Sequence, residues 1–200
     1  MHQVITPKIM YFGTPVVLIS TQNPDGSPNL APMSSAWWIN ESCMLGMSKQ
    51  SQTVRNLQRT GECVLNLPDD SLVGAVDRLA LTTGREDVPE YKAKIGCVYV
   101  SDKFKHAGLT PVASQLVAPP RVLECPVQLE AKLEKLHDFD HGGIAALEVK
   151  IVRAYFDEAI LNDQKRHYVD TDKWRPLIMS FCEFYGLGEQ VHGSRLAKVF

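Results

Sequence analysis

The 200-residue chain has no C-x-x-C pair, no apolar run near the length of a membrane span and no surplus of either charge. Its five cysteines (Cys43, Cys63, Cys97, Cys125 and Cys182) are odd in number and far apart. That argues against a disulfide framework and a zinc ribbon, and for a reducing compartment. A bilayer-spanning helix needs about 20 apolar residues in succession, so no membrane partner is expected. Residues 1–11 lack the apolar segment and small-residue cleavage site of a secretory leader, and the cytoplasm is the expected compartment. Lys+Arg number 21 against Asp+Glu 23, a net charge of -2, so nothing points to nucleic acid, whose binders carry a basic patch or stripe. G-x-S-x-G elbows, P-loops and G-x-G-x-x-G turns are also missing. Gly186-Leu187-Gly188 comes late and opens no βαβ unit, which argues against a resident dinucleotide in a Rossmann domain.

What is present reads as a mainly β protein with short helices. At 44% hydrophobic and 22% charged the composition is that of a globular chain, long enough for a full core, and residues 1–200 are expected to form a single domain. Pro15 to Thr21 (PVVLIST) is a β-branched run, and Asn23 to Pro28 (NPDGSP) is dense in turn formers, which predicts a hairpin. In the strand that follows, Asn29, Ala31, Met33, Ser35 and Trp37 point one way and Leu30, Pro32, Ser34, Ala36 and Trp38 the other. Pro32 cannot donate to a ladder, so this strand is an edge or bulges there.

Cys43 to Met47 predicts another strand. Ser51 to Thr60 predicts a helix with Val54 and Leu57 on its apolar stripe and Gly61 as its stop. Glu62 to Leu67 is a strand closed by Pro68, and Asp69 to Ser71 offer a cap for a helix running to about Leu81. Residues 82–97 read as a polar surface connection, and Lys103 to Thr110 as a short helix ending at Gly108. Arg121 to His137 and Ile144 to Leu161 predict a long antiparallel hairpin, and Leu177, Phe181 and Phe184 recur at helical spacing within Trp174–Phe184. Such an antiparallel sheet hides its edges by closing into a barrel, whole or split.

The chemistry concentrates between Asn29 and Thr53. Ser48, Lys49, Ser51 and Thr53 gather at a helix start, whose free N–H groups and dipole favour an anion. Alone, that cluster equals an ordinary helix cap. Upstream, Asn29, Ser34 and Ser35 offer hydrogen bonds to the polar edge of a flat ring that Trp37 or Trp38 would face. Core or interface filling is the commoner use of tryptophan. Taken together the stretch reads as a mononucleotide site, with FMN the leading candidate. His137-Asp138-Phe139-Asp140-His141 has metal-ligand composition but lacks a third group at recognisable spacing, so no metal is expected. Cys43 and Cys63 fall in strands, as buried filler rather than redox thiols.

In PVVLIST, PDGSPNLAPMSS, MSKQSQTVRNLQRTGECVLNLP, DKF…AGLT and PPRVLECPVQLE, from about Pro15 to Glu130, the sequence resembles the flavin-reductase-like, FMN-binding split-barrel family of flavoredoxins and small reductase components. The resemblance implies a homodimeric FMN-binding split β-barrel with the cofactor at the subunit interface. It implies that the Asn29–Ser35 strand, Met33 included, runs along the isoalloxazine, that Ser48, Lys49 and Thr53 lie near the phosphate, and that Lys103 of DKF reaches the cofactor. The implied activity is transfer of hydride from NAD(P)H to flavin, with electrons passed to free flavin, a partner protein or a small acceptor. The flavin carries that chemistry, so no catalytic side chain is nominated. An FMN-containing electron carrier without NAD(P)H turnover is the alternative, and a barrel without cofactor a third. The expanded polar stretch before Lys103 and the C-terminal tail depart from the family pattern and are where a nicotinamide or partner site would differ, with Arg175 and Tyr185 as candidate contacts.

Overall fold

The computed structural model describes residues 1–198, except for the side chains of Asp140 and Lys198. The last two residues of the expected domain, Val199 and Phe200, lie outside the described residues, as does the Asp140 side chain of the His137–His141 stretch.

The chain enters through β1 (Phe12–Pro15) and β2 (Val17–Gln22). β2 is buried on both faces: Val17 and Ile19 point into one core, and Leu18, with Val16 before the strand, into another. The predicted turn forms at Asn23–Ser27. The Asn23 N–H donates to the Ser27 carbonyl at 2.8 Å, and the Asp25 carboxylate accepts from the Ser27 N–H at 3.0 Å. Gly26 stands at φ +85°, open to glycine without strain. The turn feeds β3 (Pro28–Met33), where Pro32 lies opposite Leu18. β3 ends the strand order, so the N–H that proline lacks leaves no ladder bond unmade.

The strand expected over residues 29–39 is two strands, broken at Ser34-Ser35. After the break, β4 (Ala36–Ile39) turns through Asn40, at φ 50°, into β5 (Ser42–Ser48). Next come α1 (Gln52–Thr60), β6 (Glu62–Leu67) and α2 (Val73–Ala80), the last entered through a short helical turn that Asp69 caps. Short elements follow: β7 (Thr82–Thr83), α3 (Glu90–Lys94), β8 (Val98–Tyr99), α4 (Lys103–Ala107), β9 (Pro111–Val112) and β10 (Arg121–Val122). The long hairpin is β11 (Val127–Phe139) with β12 (Ile144–Phe156), paired from Val127 opposite Phe156 to Phe139 opposite Ile144 with register shifts after Glu130 and after Leu133. At the C-terminal end lie β13 (Ile178–Ser180) and β14 (Glu183–Tyr185).

Seven strands form one antiparallel sheet in the order β3-β2-β6-β11-β12-β5-β4. Laid flat, strands about 4.8 Å apart would separate its two edges by roughly 29 Å. Those edges, β3 and β4, are joined by Ser34 and Ser35 alone, a link that reaches about 11 Å at most. The sheet must therefore curl until its edges nearly meet. No ladder joins β3 to β4, so the barrel is closed in outline and split along one seam. Val54 and Leu57 of α1, both fully buried, share the core formed by Val17, Ile19, Leu45, Leu65, Leu147 and their neighbours. A second core lies between Leu18 and Leu30 of the sheet and α2 and α4, through Val76, Leu79, Phe104 and Ala107.

Two expectations are corrected. Trp174–Phe184 is not a helix: Leu177 is buried, and β13 and β14 make a hairpin on β1, with Phe181 edge-on to Phe12 at 5.3 Å. The helical spacing of its apolar residues is overridden by pairing with β1, and Phe181 falls in the turn of the hairpin at φ 48°. Residues 82–97 are not a plain surface connection, because Thr82, Thr83 and Arg85 are buried there.

Candidate functional site

Two cavities meet at the split, sharing Met33 and Met47 in their walls. The smaller, of about 120 Å³, is lined by Asn29 of β3, Ser51, Gln52 and Thr53 at the start of α1, Thr82 to Gly84 beyond α2, Lys92 of α3 and Lys103 of α4. Ser51 caps α1 as its sequence position predicts, its hydroxyl accepting from the Val54 N–H at 3.2 Å. The N–H groups of Gln52 and Thr53, in the first turn, have no intrahelical acceptor.

A network of buried amides and hydroxyls holds that helix start against the barrel. Asn29 Nδ2 donates to Thr21 Oγ1 at 3.2 Å and to Thr53 Oγ1 at 3.3 Å, and Asn56 Nδ2 donates to Thr21 Oγ1 at 3.0 Å. Both amide hydrogens of Asn29 are thus spent, while its Oδ1 is buried with no partner. A buried oxygen without a donor costs roughly 1–3 kcal/mol, which a ligand hydroxyl or N–H would recover. Gly84 stands against the same atom: a Cβ there would overlap Asn29 Oδ1 and lie 3.3 Å from Gln52 Cβ.

Lys103 is 3% exposed, and among the described residues it forms no ion pair. Burial, with a smaller contribution from Lys92, pushes its ammonium down to about 8. Among the described residues no Asp or Glu lines the cavity. Two ammonium groups, a helix N-terminus and a threonine hydroxyl, with Thr53 and Lys103 buried, form a seat that suits an anion.

The larger cavity, of about 760 Å³, is an apolar trough walled by Met10, Trp37, Met44, Phe139 and Ile144, with hydroxyls from Tyr11, Thr14, Ser35 and Ser48 along it. Tyr11 and Ser35 hydroxyls are 3.1 Å apart, and Thr14 Oγ1 is buried without a partner. The size and the mixture suit a flat, mostly apolar ring with a polar edge.

The predicted site residues divide between these places. Asn29, Met33, Thr53 and Lys103 line the small cavity; Met33, Ser35, Trp37 and Ser48 line the large one. Ser34 faces a separate hollow beside Val76 and Phe184. Lys49 lines none of them, and its ammonium pairs with Asp138. Of the two tryptophans, Trp37 is at the large cavity and Trp38 packs on the barrel core. Arg175 pairs with Asp70, away from these cavities, and neither it nor Tyr185 lines them. Among the described residues no three His, Cys, Asp or Glu side chains converge on a metal position. The thiol of Cys43 is pushed up to about 12 by burial, and that of Cys63 is raised likewise, which makes both poor nucleophiles.

Sequence reasoning missed Gln52, Thr82, Thr83, Gly84 and Lys92. Gln52 lies within MSKQSQTVRNLQRTGECVLNLP but reads there as an ordinary first-turn residue. The segment of the other four carries no strong motif, and its one signal is Gly84 after two β-branched threonines, where a close approach of backbone is common.

The fold is a split barrel with a small cavity that opens beside an apolar trough. The family model of the flavin reductase like domain matches residues 9–172, and the chain belongs to that family. It is 38% identical to the protein YdfE of Bacillus subtilis (strain 168) over 189 residues, covering 94% of this chain and 90% of that one. Its structure is similar to flavoredoxin of Desulfovibrio vulgaris (Miyazaki F), with a TM-score of 0.79 at 25% identity over 99% of this chain and 100% of that one. It is also similar in fold to nitrilotriacetate monooxygenase component B from Bacillus cereus, with a TM-score of 0.74 at 19% identity, over 96% and 98% of the two chains. A flavin is the cofactor that the family implies.

Proposed function

We propose that this protein is an FMN-dependent oxidoreductase, in which bound flavin takes hydride from NAD(P)H and passes electrons to free flavin, a partner protein or a small acceptor. The observation that carries the reading is the junction of the two cavities at Met33 and Met47. A buried ammonium without a counter-ion and an orphaned amide oxygen sit on one side, and an apolar trough sits on the other. Thr53, Lys92, Lys103 and the first N–H groups of α1 would hold the phosphate, Asn29 Oδ1 would accept from the polar chain between phosphate and ring, and Ser35 and Trp37 would face the ring. The protein's part is to bind, orient and shield.

The trough's apolar rim supports a homodimer. Trp37 is 56% exposed, Ile39 62% and Phe139 63%, and a second copy laid across them would dry the ring's outer face.

The test is an absorption spectrum after FMN loading and desalting, repeated without oxygen in the presence of NADH and then NADPH. Retained flavin bands that bleach with either nucleotide support the reductase. Failure to bind any flavin in titration would overturn the reading. The likeness to a flavoredoxin favours one second reading, an electron carrier. Flavin that is retained and left oxidised by both nucleotides, with no steady-state NAD(P)H consumption, would favour the carrier.

A further inference from the structure

The chain between α2 and α4 forms a strap. Its two ends are tied to each other by the parallel pair of β7 and β8, Thr82 opposite Val98 and Thr83 opposite Tyr99. The Val100 N–H adds a bond to the Thr83 carbonyl at 3.0 Å. Between those ends the strap crosses the turn that joins β5 to α1 and grips it twice. Arg85 Nη1 donates to the Gln50 carbonyl at 3.0 Å, and Tyr91 Oη donates to Ser48 Oγ at 3.1 Å. Arg85 is itself held by Asp87, with Nε donating to Oδ1 at 3.0 Å and a second bond to the other oxygen. A fork-to-carboxylate pair fixes a guanidinium's plane as well as its place.

The strap is also a wall of the anion seat. Gly84 is wedged between Asn29 and Gln52, and Lys92 faces the cavity with Lys103. The strap therefore walls part of the seat with tied backbone, around a volume of about 120 Å³. Resting on the FMN reading above, we propose that the strap of residues 84–92 makes this site selective for a flavin that ends in a phosphomonoester, FMN, over the dinucleotide FAD. A terminal phosphomonoester carries a charge of roughly -1.5 to -2 near neutral pH, which matches two ammonium groups with no carboxylate among them. In FAD each phosphate is esterified on both sides, and the chain must continue outward into an adenylate. On this proposal Gly84, the Arg85–Gln50 tie and Lys92 stand across that path. Tyr91 and Lys92 belong to one short helix, so the grip on Ser48 also sets where the second ammonium stands.

Affinities for FMN, FAD and riboflavin, measured by quenching of flavin fluorescence on the full chain, test this. Wild-type protein is expected to bind FMN at least tenfold more tightly than FAD. Arg85→Ala, which frees the strap from Gln50, is expected to narrow that ratio at least threefold, chiefly by improving FAD. Lys92→Ala is expected to weaken FMN about tenfold and leave riboflavin unchanged. Tyr91→Phe, an exposed change that removes only the bond to Ser48, serves if Arg85→Ala does not fold, and should narrow the FMN-to-FAD ratio in the same direction. Equal affinity of wild-type protein for FMN and FAD overturns the proposal and leaves the flavin reading standing. So does a preference for FMN that none of the variants alters, because the strap is then not its source. Absence of binding by all three flavins overturns the flavin reading itself, and the proposal with it.

Discussion

The two cavities that share Met33 and Met47 are built on opposite plans. The smaller is the more enclosed and the more polar of the two, assembled from seven separate stretches of chain, with the Lys103 ammonium and the Asn29 amide out of water. The larger is open and apolar, lined mostly by the outer face of β4, β5 and β12, and its polar atoms are hydroxyls along one wall. Charge placed in a dry enclosure interacts far more strongly than charge at a surface, so on the proposed reading the small cavity is where ligand identity and affinity are decided. An apolar trough binds by area and shape, tolerates variety and leaves room for a second molecule against the first. A barrel that closes except for one seam supplies both: the seam provides the trough, and the helices stacked beside it provide the seat.

Lys103→Met gives the largest expected effect and tests that division most directly. A charge-assisted hydrogen bond is worth roughly 1.5–3 kcal/mol, so FMN affinity should fall about tenfold to a hundredfold. Riboflavin, which has no phosphate, should bind as before; an equal loss for both ligands would place Lys103 outside the anion seat. The same variant carries a pH signature in the flavin-free protein. Burial holds the Lys103 ammonium near 8 in the folded chain, against about 10.4 when unfolded. Between those values the unfolded chain binds the extra proton, so stability rises with pH through that window. Below about 8 the buried ammonium costs stability on the order of 3 kcal/mol, a cost relieved as the pH climbs. Lys103→Met should remove that rise and be the more stable protein at pH 7, as urea unfolding at a series of pH values would show.

Thr53→Val has a smaller effect on the same seat. It deletes one of two acceptors that orient Asn29, leaving the Asn29 amide free to turn its oxygen away from the cavity. A hydrogen bond of this kind is worth about 1 kcal/mol, so FMN should weaken about fivefold, with a similar loss of stability in urea unfolding. Unchanged affinity would mean that Thr21 alone holds Asn29 in place and that the Thr53 hydroxyl does not reach the phosphate.

Legibility in the sequence follows the same contrast. The elements written in local chemistry were readable: the turn at Asn23–Ser27, the cap at Ser51 with its stop at Gly61, the edge position of Pro32 and the long hairpin. So were the cavity-lining residues that lie on those elements, Asn29 and Thr53. Lys103 was not readable from the residues; the family resemblance pointed to it. What escaped depends on contacts between distant segments. The break at Ser34-Ser35 follows from barrel curvature, which no alternation pattern encodes. Lys49 sits two residues from the cap of α1, but Asp138 on the tip of β11 engages it, and that partner lies 89 positions away. The strap shows the limit most clearly: Thr82, Thr83 and Arg85 look like surface residues until their burial against α1 and β8 is seen.

Trp37→Ala gives the smallest expected effect and addresses the other half of the comparison. Trp37 is more than half exposed, so its removal should change the stability of the single chain by no more than about 0.5 kcal/mol. If the trough receives the ring, FMN and riboflavin should weaken by the same modest factor, about threefold, because the lost contact is apolar and blind to the phosphate. The ratio of the two affinities should stay at its wild-type value. Lys103→Met should collapse that ratio while Trp37→Ala preserves it, and this pair of variants separates anchor from trough without any need for turnover. A Trp37→Ala protein whose FMN affinity falls while riboflavin affinity holds would put the tryptophan beside the phosphate instead, and the assignment of the two cavities would have to be exchanged.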